Sequence, residues 1–252
     1  MIRRETIKNT TFGSVDTGEL RRFGEFAAHW WDPEGPMRPL HKMNPIRLAY
    51  IRDQICQATG REATKMRPLT GLGCLDVGCG PGLLSEPLTR MGAAVTGIDP
   101  TPEVIRAGAD HAAQQGLKID YRCTTVEELV QSGEGFDLVT ALEVVEHVHN
   151  WQDFLTDLAM LVRPGGILVL STLNRTPKAF AHAIVGAEYL LGWLPRGTHD
   201  WRKFRKPSEL AAILRGSGMQ IRDVRGARYA AAFDRFELCD DPGVNYFLVA
   251  CR

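Results

Sequence analysis

The stretch that decides the fold is Leu75-Asp76-Val77-Gly78-Cys79-Gly80-Pro81-Gly82. A strand-like apolar run leads into it from residue 73, and a helix-like segment follows near residues 83–91. Glycines at such a junction let the backbone turn sharply and approach a ligand without Cβ clashes. In open α/β sheets this turn, at the carboxyl end of the first strand, faces the ligand crevice. The sequence therefore predicts an α/β fold with a ligand at this loop.

Short apolar strands alternate with helical segments after this loop. Strands are predicted at 73–78, 94–99, 119–123, 136–142 and 166–173, with helices between them near 83–91, 102–115, 126–131 and 151–162. The alternation predicts a mostly parallel sheet with helices on both faces. A helix at 207–216 and two late strands at 219–225 and 245–251, antiparallel to each other at one sheet edge, complete the predicted order.

An N-terminal helical extension is predicted before the sheet. Apolar residues at helical spacing indicate one helix over residues 19–31. Asn44 is predicted to cap a second helix that runs to Cys56, with Pro45 in its first helical position. We expect residues 1–60 to form this extension and residues 61–252 to form the main domain, with an insertion at 174–204.

The composition argues against several classes of protein. Thirty Lys and Arg residues balance thirty Asp and Glu residues, which argues against nucleic acid as a partner. The six cysteines form no C-x-x-C pair and are expected to be reduced thiols. The polar start has no secretory signal, and no apolar run is long enough to span a bilayer. We expect a cytoplasmic protein whose membrane contact, if any, is peripheral.

The charges around the glycine loop favour S-adenosylmethionine over a dinucleotide. Asp99 ends the second predicted strand, 21 positions after Gly78, where a carboxylate can accept hydrogen bonds from both ribose hydroxyls. The dinucleotide fingerprint requires Gly or Ala where this chain has Leu83. Asp76, two residues before Gly78, suits the cationic amino acid end of S-adenosylmethionine better than a pyrophosphate. The alternative is that Asp76 caps the turn and the glycines, Gly80 included, are structural.

Glu143, Glu146 and His147 directly follow the fourth predicted strand. Their spacing would project all three side chains from one helical turn. Two carboxylates and an imidazole suit Mg²⁺ or Zn²⁺, which would lower the pKa of a phenol and orient its attack. His147 is alternatively the general base. A charged first helical turn without any metal fits the same residues.

Four motifs occur in the order seen in class I methyltransferases. They are Asp76-Val77-Gly78-Cys79-Gly80, Gly97-Ile98-Asp99, Phe136-Asp137-Leu138-Val139 and Arg163-Pro164-Gly165-Gly166. The chain resembles this family across residues 73–173. The resemblance implies a Rossmann-like, seven-stranded, mostly parallel sheet with a reversed last strand. It also implies that Leu142 lines the cofactor.

Further blocks resemble the ubiquinone biosynthesis O-methyltransferase family and extend the likeness to nearly the whole chain. They are Trp30-Trp31-Asp32 with Pro39-Leu40-His41 and 44–48, Glu143 to His147, Ser171 to Arg175 with 186–189 and 197–200, and Val244-Asn245-Tyr246. The resemblance implies methyl transfer from S-adenosylmethionine to a hydroxyl of a 2-polyprenyl-6-hydroxyphenol and of 3-demethylubiquinol.

The same resemblance implies roles for individual residues. Cofactor contacts are implied at Arg47, Gly78, Asp99 and Leu142, beside the predicted Asp76 and Gly80. Ligands for a divalent cation, and with them the catalytic set, are implied at Glu143, Glu146 and His147. Without the resemblance, Arg47 would be interpreted as an ordinary surface arginine of the second helix.

The insertion at 174–204 suits a substrate with a lipid tail. Its apolar residues are Phe180, Ile184, Leu190, Leu191, Trp193 and Leu194, and its basic flank is Arg196, Arg202, Lys203, Arg205 and Lys206. Such a segment can lie on the anionic inner face of a membrane, and a lid packed on the protein's own core is the alternative.

Other functions remain open. One is a different class I small-molecule methyltransferase that acts on carbon or nitrogen. Another is a non-catalytic scaffold that binds S-adenosylmethionine among other ubiquinone biosynthesis proteins. A dinucleotide oxidoreductase is the third.

Overall fold

The computed structural model describes residues 30–181 and 200–252. The helix predicted over 19–31 lies outside these residues except for its last two positions. Most of the insertion at 174–204 also lies outside them, including its apolar residues 184–194 and the block at 186–189. No helix in the described ranges is long and apolar enough to cross a membrane.

The described helices and strands follow the predicted alternation. The helices are α1 (Arg38–Ala58), α2 (Ser85–Arg90), α3 (Pro102–Gln114), α4 (Val126–Gln131), α5 (Trp151–Leu161), the single turn α6 (Pro177–Ala179) and α7 (Pro207–Gly216). The strands are β1 (Gly73–Val77), β2 (Ala94–Ile98), β3 (Asp120–Arg122), β4 (Phe136–Leu142), β5 (Val162–Leu173), β6 (Gln220–Ala230), β7 (Arg235–Cys239) and β8 (Asn245–Cys251).

These strands form one sheet in the order β3-β2-β1-β4-β5-β8-β6-β7. Strands β1 to β5 pair in parallel, and β8 runs antiparallel between β5 and β6. The α/β class and the reversed last strand are confirmed. Strand order changes direction between β1 and β4, and such a switch point opens a ligand crevice at the carboxyl ends of the strands.

The sheet has one strand more than expected. Strand β7 pairs antiparallel with β6 and forms the sheet edge, so β8 lies inside the sheet rather than at the edge. The hairpin between β6 and β7 turns at Asp234, whose φ of 49° is left-handed. Because glycine or asparagine usually signals such a turn, an aspartate without a neighbouring glycine left this hairpin unpredicted.

Helix α1 corrects the prediction for the second helix. It begins at Arg38, so Asn44 is not its cap, and Pro45 lies inside it. Pro39 occupies the first turn, where a missing N–H costs little. The Asn44 side chain instead donates to the Leu83 carbonyl over 2.7 Å. This bond fixes α1 to the segment that follows the glycine loop.

Apolar side chains cover both faces of the sheet. On one face, α4, α5 and α7 bury residues such as Leu158 and Leu214 against strand residues such as Val139. On the other face, α1 and α2 bury Ile55 and Leu88 among others. Burial of each such side chain stabilises the fold by about 1.5–3 kcal/mol. Both layers therefore hold the ends of β1 and β4 in place.

Candidate cofactor and acceptor site

The glycine loop after β1 adopts a backbone that other residues rarely take. Gly78 and Gly80 have φ angles of 65° and 55°. A Cβ atom on Gly78 would lie 2.6 Å from a methyl group of Val144, and one on Gly80 would lie 3.1 Å from the Trp30 ring. Both the φ angles and the close neighbours therefore require glycine at these two positions.

Asp76 is buried at the carboxyl end of β1, with 3% of its surface exposed. Its carboxylate accepts hydrogen bonds from the hydroxyls of Ser85, over 2.6 Å, and Thr140, over 2.9 Å. Burial raises the pKa of Asp76 to about 6, although these hydrogen bonds and the charge of Arg47 act to lower it. Asp76 therefore has fixed partners in the crevice, and neither hydroxyl residue was foreseen.

Asp99 follows β2 and is tied to the same loop. Its carboxylate accepts hydrogen bonds from the backbone N–H of Gly80, over 3.3 Å, and of Thr101, over 2.9 Å. Burial raises its pKa above the ordinary value. A second carboxylate thus stands at the glycine loop, on the β2 side where a ribose is expected. Contact of Asp99 with a cofactor stays a prediction.

Arg47 projects from α1 into the crevice and is not a surface arginine. It is 6% exposed, and its Nη2 atom lies 3.2 Å from the Glu143 Oε1 atom. Neither Nε nor Nη2 has a hydrogen-bond partner among the described residues. Leaving buried N–H groups unpaired is costly, so this edge of the guanidinium is suited to an incoming carboxylate.

Glu143 directly follows β4 and Leu142, with a left-handed φ of 56°. Its Oε1 atom accepts a hydrogen bond from the Ser171 hydroxyl over 2.6 Å. The Asn245 amide donates to both carboxylate oxygens over 3.2 Å. Strands β5 and β8 therefore supply neutral donors to Glu143, while α1 supplies the cation Arg47.

Glu146 and His147 lie in a 3₁₀ turn, Val145–His147, after Glu143. Glu146 is 5% exposed and accepts a hydrogen bond from the Thr172 hydroxyl over 2.8 Å. Burial, and then the neighbouring Glu143, raise the pKa of Glu146 to about 7. The turn contains both residues but not Glu143, so the prediction of one shared helical turn is wrong.

The described residues do not assemble a ready metal centre. They contain no group of three or more His, Cys, Asp or Glu side chains placed to hold an ion. Glu143 is instead engaged by Arg47 and Asn245. The role of Glu143, Glu146 and His147 as metal ligands stays a prediction.

A contact network beside the glycine loop was not foreseen. The Trp31 ring stacks on His111 with 3.7 Å between centroids, and His111 Nδ1 lies 2.6 Å from a carboxylate oxygen of buried Glu86. The Trp30 carbonyl is 2.8 Å from His41 Nε2. Since Trp30 and Trp31 are far from α3 in sequence, no local spacing signals this contact. The network holds the start of the described chain against the loop.

Comparison with known proteins gives full-length relatives. Residues 75–170 match a family model described as a methyltransferase domain. A relative from Methylobacterium nodulans is 49% identical over 98% of this chain and 99% of its own length. One from Parvibaculum lavamentivorans is 50% identical over 95% of this chain and 94% of its own length. Both carry the name ubiquinone biosynthesis O-methyltransferase.

Solved structures share the fold. Magnesium protoporphyrin IX methyltransferase from Synechocystis, with S-adenosylhomocysteine bound, has a TM-score of 0.61 at 21% identity and covers 92% of this chain and 94% of that one. An S-adenosylmethionine-dependent methyltransferase from Clostridium acetobutylicum has a TM-score of 0.62 at 12% identity and covers 91% of this chain and 98% of that one. At these identities the likeness shows the class I methyltransferase fold alone.

The raised pKa of Asp76 predicts a pH-dependent penalty on stability. Because burial disfavours the ionised carboxylate, its cost to the fold grows as pH rises from 3.8 to about 6 and is complete above that. The free energy of unfolding of Asp76→Asn should therefore gain about 2 kcal/mol relative to the unsubstituted protein between pH 4.5 and 7.5. Urea denaturation without cofactor measures this difference.

Asp110→Asn is the matched control, because Asp110 is exposed on α3. The difference in free energy of unfolding between Asp110→Asn and the unsubstituted protein should stay constant across the same pH range. A constant difference for Asp76→Asn as well would contradict the raised pKa.

Proposed function

The chain belongs to the ubiquinone biosynthesis O-methyltransferase family, and we propose that it methylates a phenolic hydroxyl of polyprenylated substrates of that pathway. The methyl donor is S-adenosylmethionine, and the acceptors are a 2-polyprenyl-6-hydroxyphenol and 3-demethylubiquinol. The observation that carries the proposal is the buried edge of Arg47, whose Nε and Nη2 atoms have no hydrogen-bond partner among the described residues although Nη2 lies 3.2 Å from Glu143 Oε1. That edge has the chemistry to hold an amino acid carboxylate.

The residues around the glycine loop fit the parts of the cofactor. Arg47 would pair with the α-carboxylate through Nε and Nη2, in the fork geometry that guanidinium groups favour. Asp76 would offset the positive charge of the amino acid end, and Asp99 would accept from the ribose hydroxyls. Gly78 and Gly80 give close backbone approach, and Leu142 would line the cofactor. These contacts are proposed from burial, charge and the family resemblance.

The proposed reaction is an in-line displacement. S-adenosylmethionine supplies an electrophilic methyl group, and a phenolic oxygen forms the new C–O bond as the C–S bond breaks. The phenolic proton must leave, because a protonated phenol is a poor nucleophile. Glu146, whose pKa is raised to about 7, and His147 are the candidate acceptors for that proton. A base with a pKa near the working pH is the most effective.

A divalent cation is a separate proposal, implied by the resemblance at Glu143, Glu146 and His147. The carboxylates have the right chemistry, but Glu143 would first have to exchange the donors of Arg47 and Asn245 for the metal. The proton transfer is therefore assigned to this chain's own side chains. Removal of metal decides whether a cation also takes part.

Methyl transfer to a short-chain prenyl catechol tests the proposed activity. Purified protein with radiolabelled S-adenosylmethionine should yield the O-methylated catechol, with no transfer to a matched compound whose hydroxyls are already methylated. We expect chelation to leave turnover unchanged if Glu146 or His147 takes the proton unaided. Loss on chelation with recovery on Mg²⁺ or Zn²⁺ would establish the cation.

No turnover despite tight cofactor binding would contradict the proposed activity and favour the non-catalytic scaffold or another acceptor. Methylation at carbon or nitrogen would favour a different small-molecule methyltransferase. Binding of NADH in place of S-adenosylmethionine would favour an oxidoreductase.

Residues 61–252 are proposed to form the methyltransferase domain and residues 1–60 a cap over the substrate and cofactor. The segment 174–204 is proposed as a lid that meets the inner face of the membrane, where a polyprenyl tail resides. Support comes from its sequence, in which apolar residues are followed by Arg202, Lys203, Arg205 and Lys206. Other ubiquinone biosynthesis proteins are proposed partners.

Vesicle binding tests the membrane proposal. Replacing Trp193 and Leu194 by Ser should reduce co-sedimentation with anionic vesicles at least tenfold, because apolar insertion and charge attraction act together. Transfer to a water-soluble catechol should persist, which serves as the folding control. Equal co-sedimentation of both proteins would contradict membrane contact through this segment.

A further inference from the structure

Arg47 lies where two carboxylates would need the same cation. Its Nη2 atom is 3.2 Å from Glu143 Oε1, yet Nε and Nη2 both lack a hydrogen-bond partner among the described residues. These two atoms form the edge that binds a carboxylate in bidentate fashion. An α-carboxylate bound to that edge would therefore place its negative charge against Glu143.

We propose that Arg47 exchanges Glu143 for the cofactor's α-carboxylate, so that cofactor binding releases Glu143 from its ion pair. The proposal rests on the proposed function, since it takes S-adenosylmethionine as the ligand. Glu143 is then a positioning residue that competes with the cofactor for Arg47 and is freed when the cofactor arrives.

Glu143 has hydrogen-bond donors that remain when its ion pair with Arg47 is lost. Its carboxylate keeps the Ser171 hydroxyl, at 2.6 Å, and the Asn245 amide, at 3.2 Å, when Arg47 turns to another partner. Its side chain is also more exposed than that of Arg47, 21% against 7%, so solvent can reach the freed carboxylate. A buried carboxylate without other donors would pay a much larger penalty for losing its cation.

The arginine, in contrast, has no neutral acceptor for its free edge in the described residues. It forms an ion pair with Glu143, and its charge lowers the pKa of Asp76. Glu143 therefore keeps neutral hydrogen-bond partners without Arg47, whereas Nε and Nη2 of Arg47 have no such partner without a carboxylate. Exchange at Arg47 follows from this asymmetry.

The exchange would couple the cofactor side of the crevice to the side formed by β5 and β8. Cofactor binding would convert Glu143 from an ion-paired group into a free anion beside Ser171 and Asn245, on the β5 and β8 side. By linkage, any ligand that holds Glu143 away from Arg47 would tighten cofactor binding by the same factor.

A thermodynamic cycle between Glu143 and the ligand's carboxylate tests the exchange. Calorimetry gives the affinities for S-adenosylhomocysteine and for its decarboxylated analogue, which keeps the amine and the nucleoside. The measured quantity is the ratio of these affinities. Glu143→Gln should raise the preference for the carboxylate-bearing ligand by roughly 5- to 50-fold, within the usual range of coupling between sites.

Two variants serve as matched comparisons. Glu146→Gln removes a neighbouring negative charge without touching the Arg47 pair, and should leave the ratio unchanged. Glu143→Asp withdraws the carboxylate from Arg47 by one methylene and should give an intermediate ratio. Glutamine is about the size of glutamate and its side-chain oxygen can still accept a hydrogen bond from Ser171, so Glu143→Gln should keep the fold. Glu143→Asp gives a second measurement of the same affinity ratio.

An unchanged or smaller affinity ratio in Glu143→Gln would overturn the exchange but would not contradict the proposed methyltransferase activity. An equal rise of the affinity ratio in Glu146→Gln would also overturn the exchange, because the loss of any negative charge in the crevice would then have the same effect. Failure of S-adenosylhomocysteine to bind the unsubstituted protein would overturn the proposed function and the exchange together.

Discussion

The buried guanidinium of Arg47 is the interaction on which the crevice depends. Asp76 lies near the end of β1 and Glu143 directly follows the neighbouring strand β4; Arg47 forms an ion pair with Glu143, and its charge lowers the pKa of Asp76. Helix α1 brings that cation from outside the sheet, and its Asn44 bond to Leu83 ties the same helix to the glycine loop. The proposed cofactor site, the proposed acceptor site and α1 thus meet at one side chain.

Neutral donors complete the arrangement. Hydroxyls of Ser85, Thr140, Ser171 and Thr172 and the amide of Asn245 each hold one of the crevice carboxylates. They fix the position of a carboxylate without cancelling its charge. That is why the pKa values of Asp76 and Glu146 remain raised by burial despite good hydrogen bonding. Such carboxylates suit the cationic cofactor and the phenolic proton of the proposed reaction.

Much of this fold could be predicted from the sequence, because hydrophobic alternation and the glycine loop are local signals. The parallel direction of β1 to β5 and the position of Asp76 at the end of β1 followed from them. The inward direction of Arg47 was missed, although Arg47 lies four and eight residues before the buried Ile51 and Ile55, a spacing that places all three on one helix face. Strand β7 was missed because Asp234 makes its turn. Glu143, Glu146 and His147 were assumed to share one helical turn, but the left-handed φ of Glu143 places it outside that turn.

The most direct test of this account is the affinity of S-adenosylhomocysteine for Arg47→Met, with Arg52→Met as the control from the more exposed side of the same helix. Methionine keeps the apolar stem and removes the fork. The account predicts that Arg47→Met weakens binding by about 30-fold or more, as expected for losing a buried charged pair, while Arg52→Met leaves it unchanged. Equal affinities of the two variants would contradict the central role of Arg47.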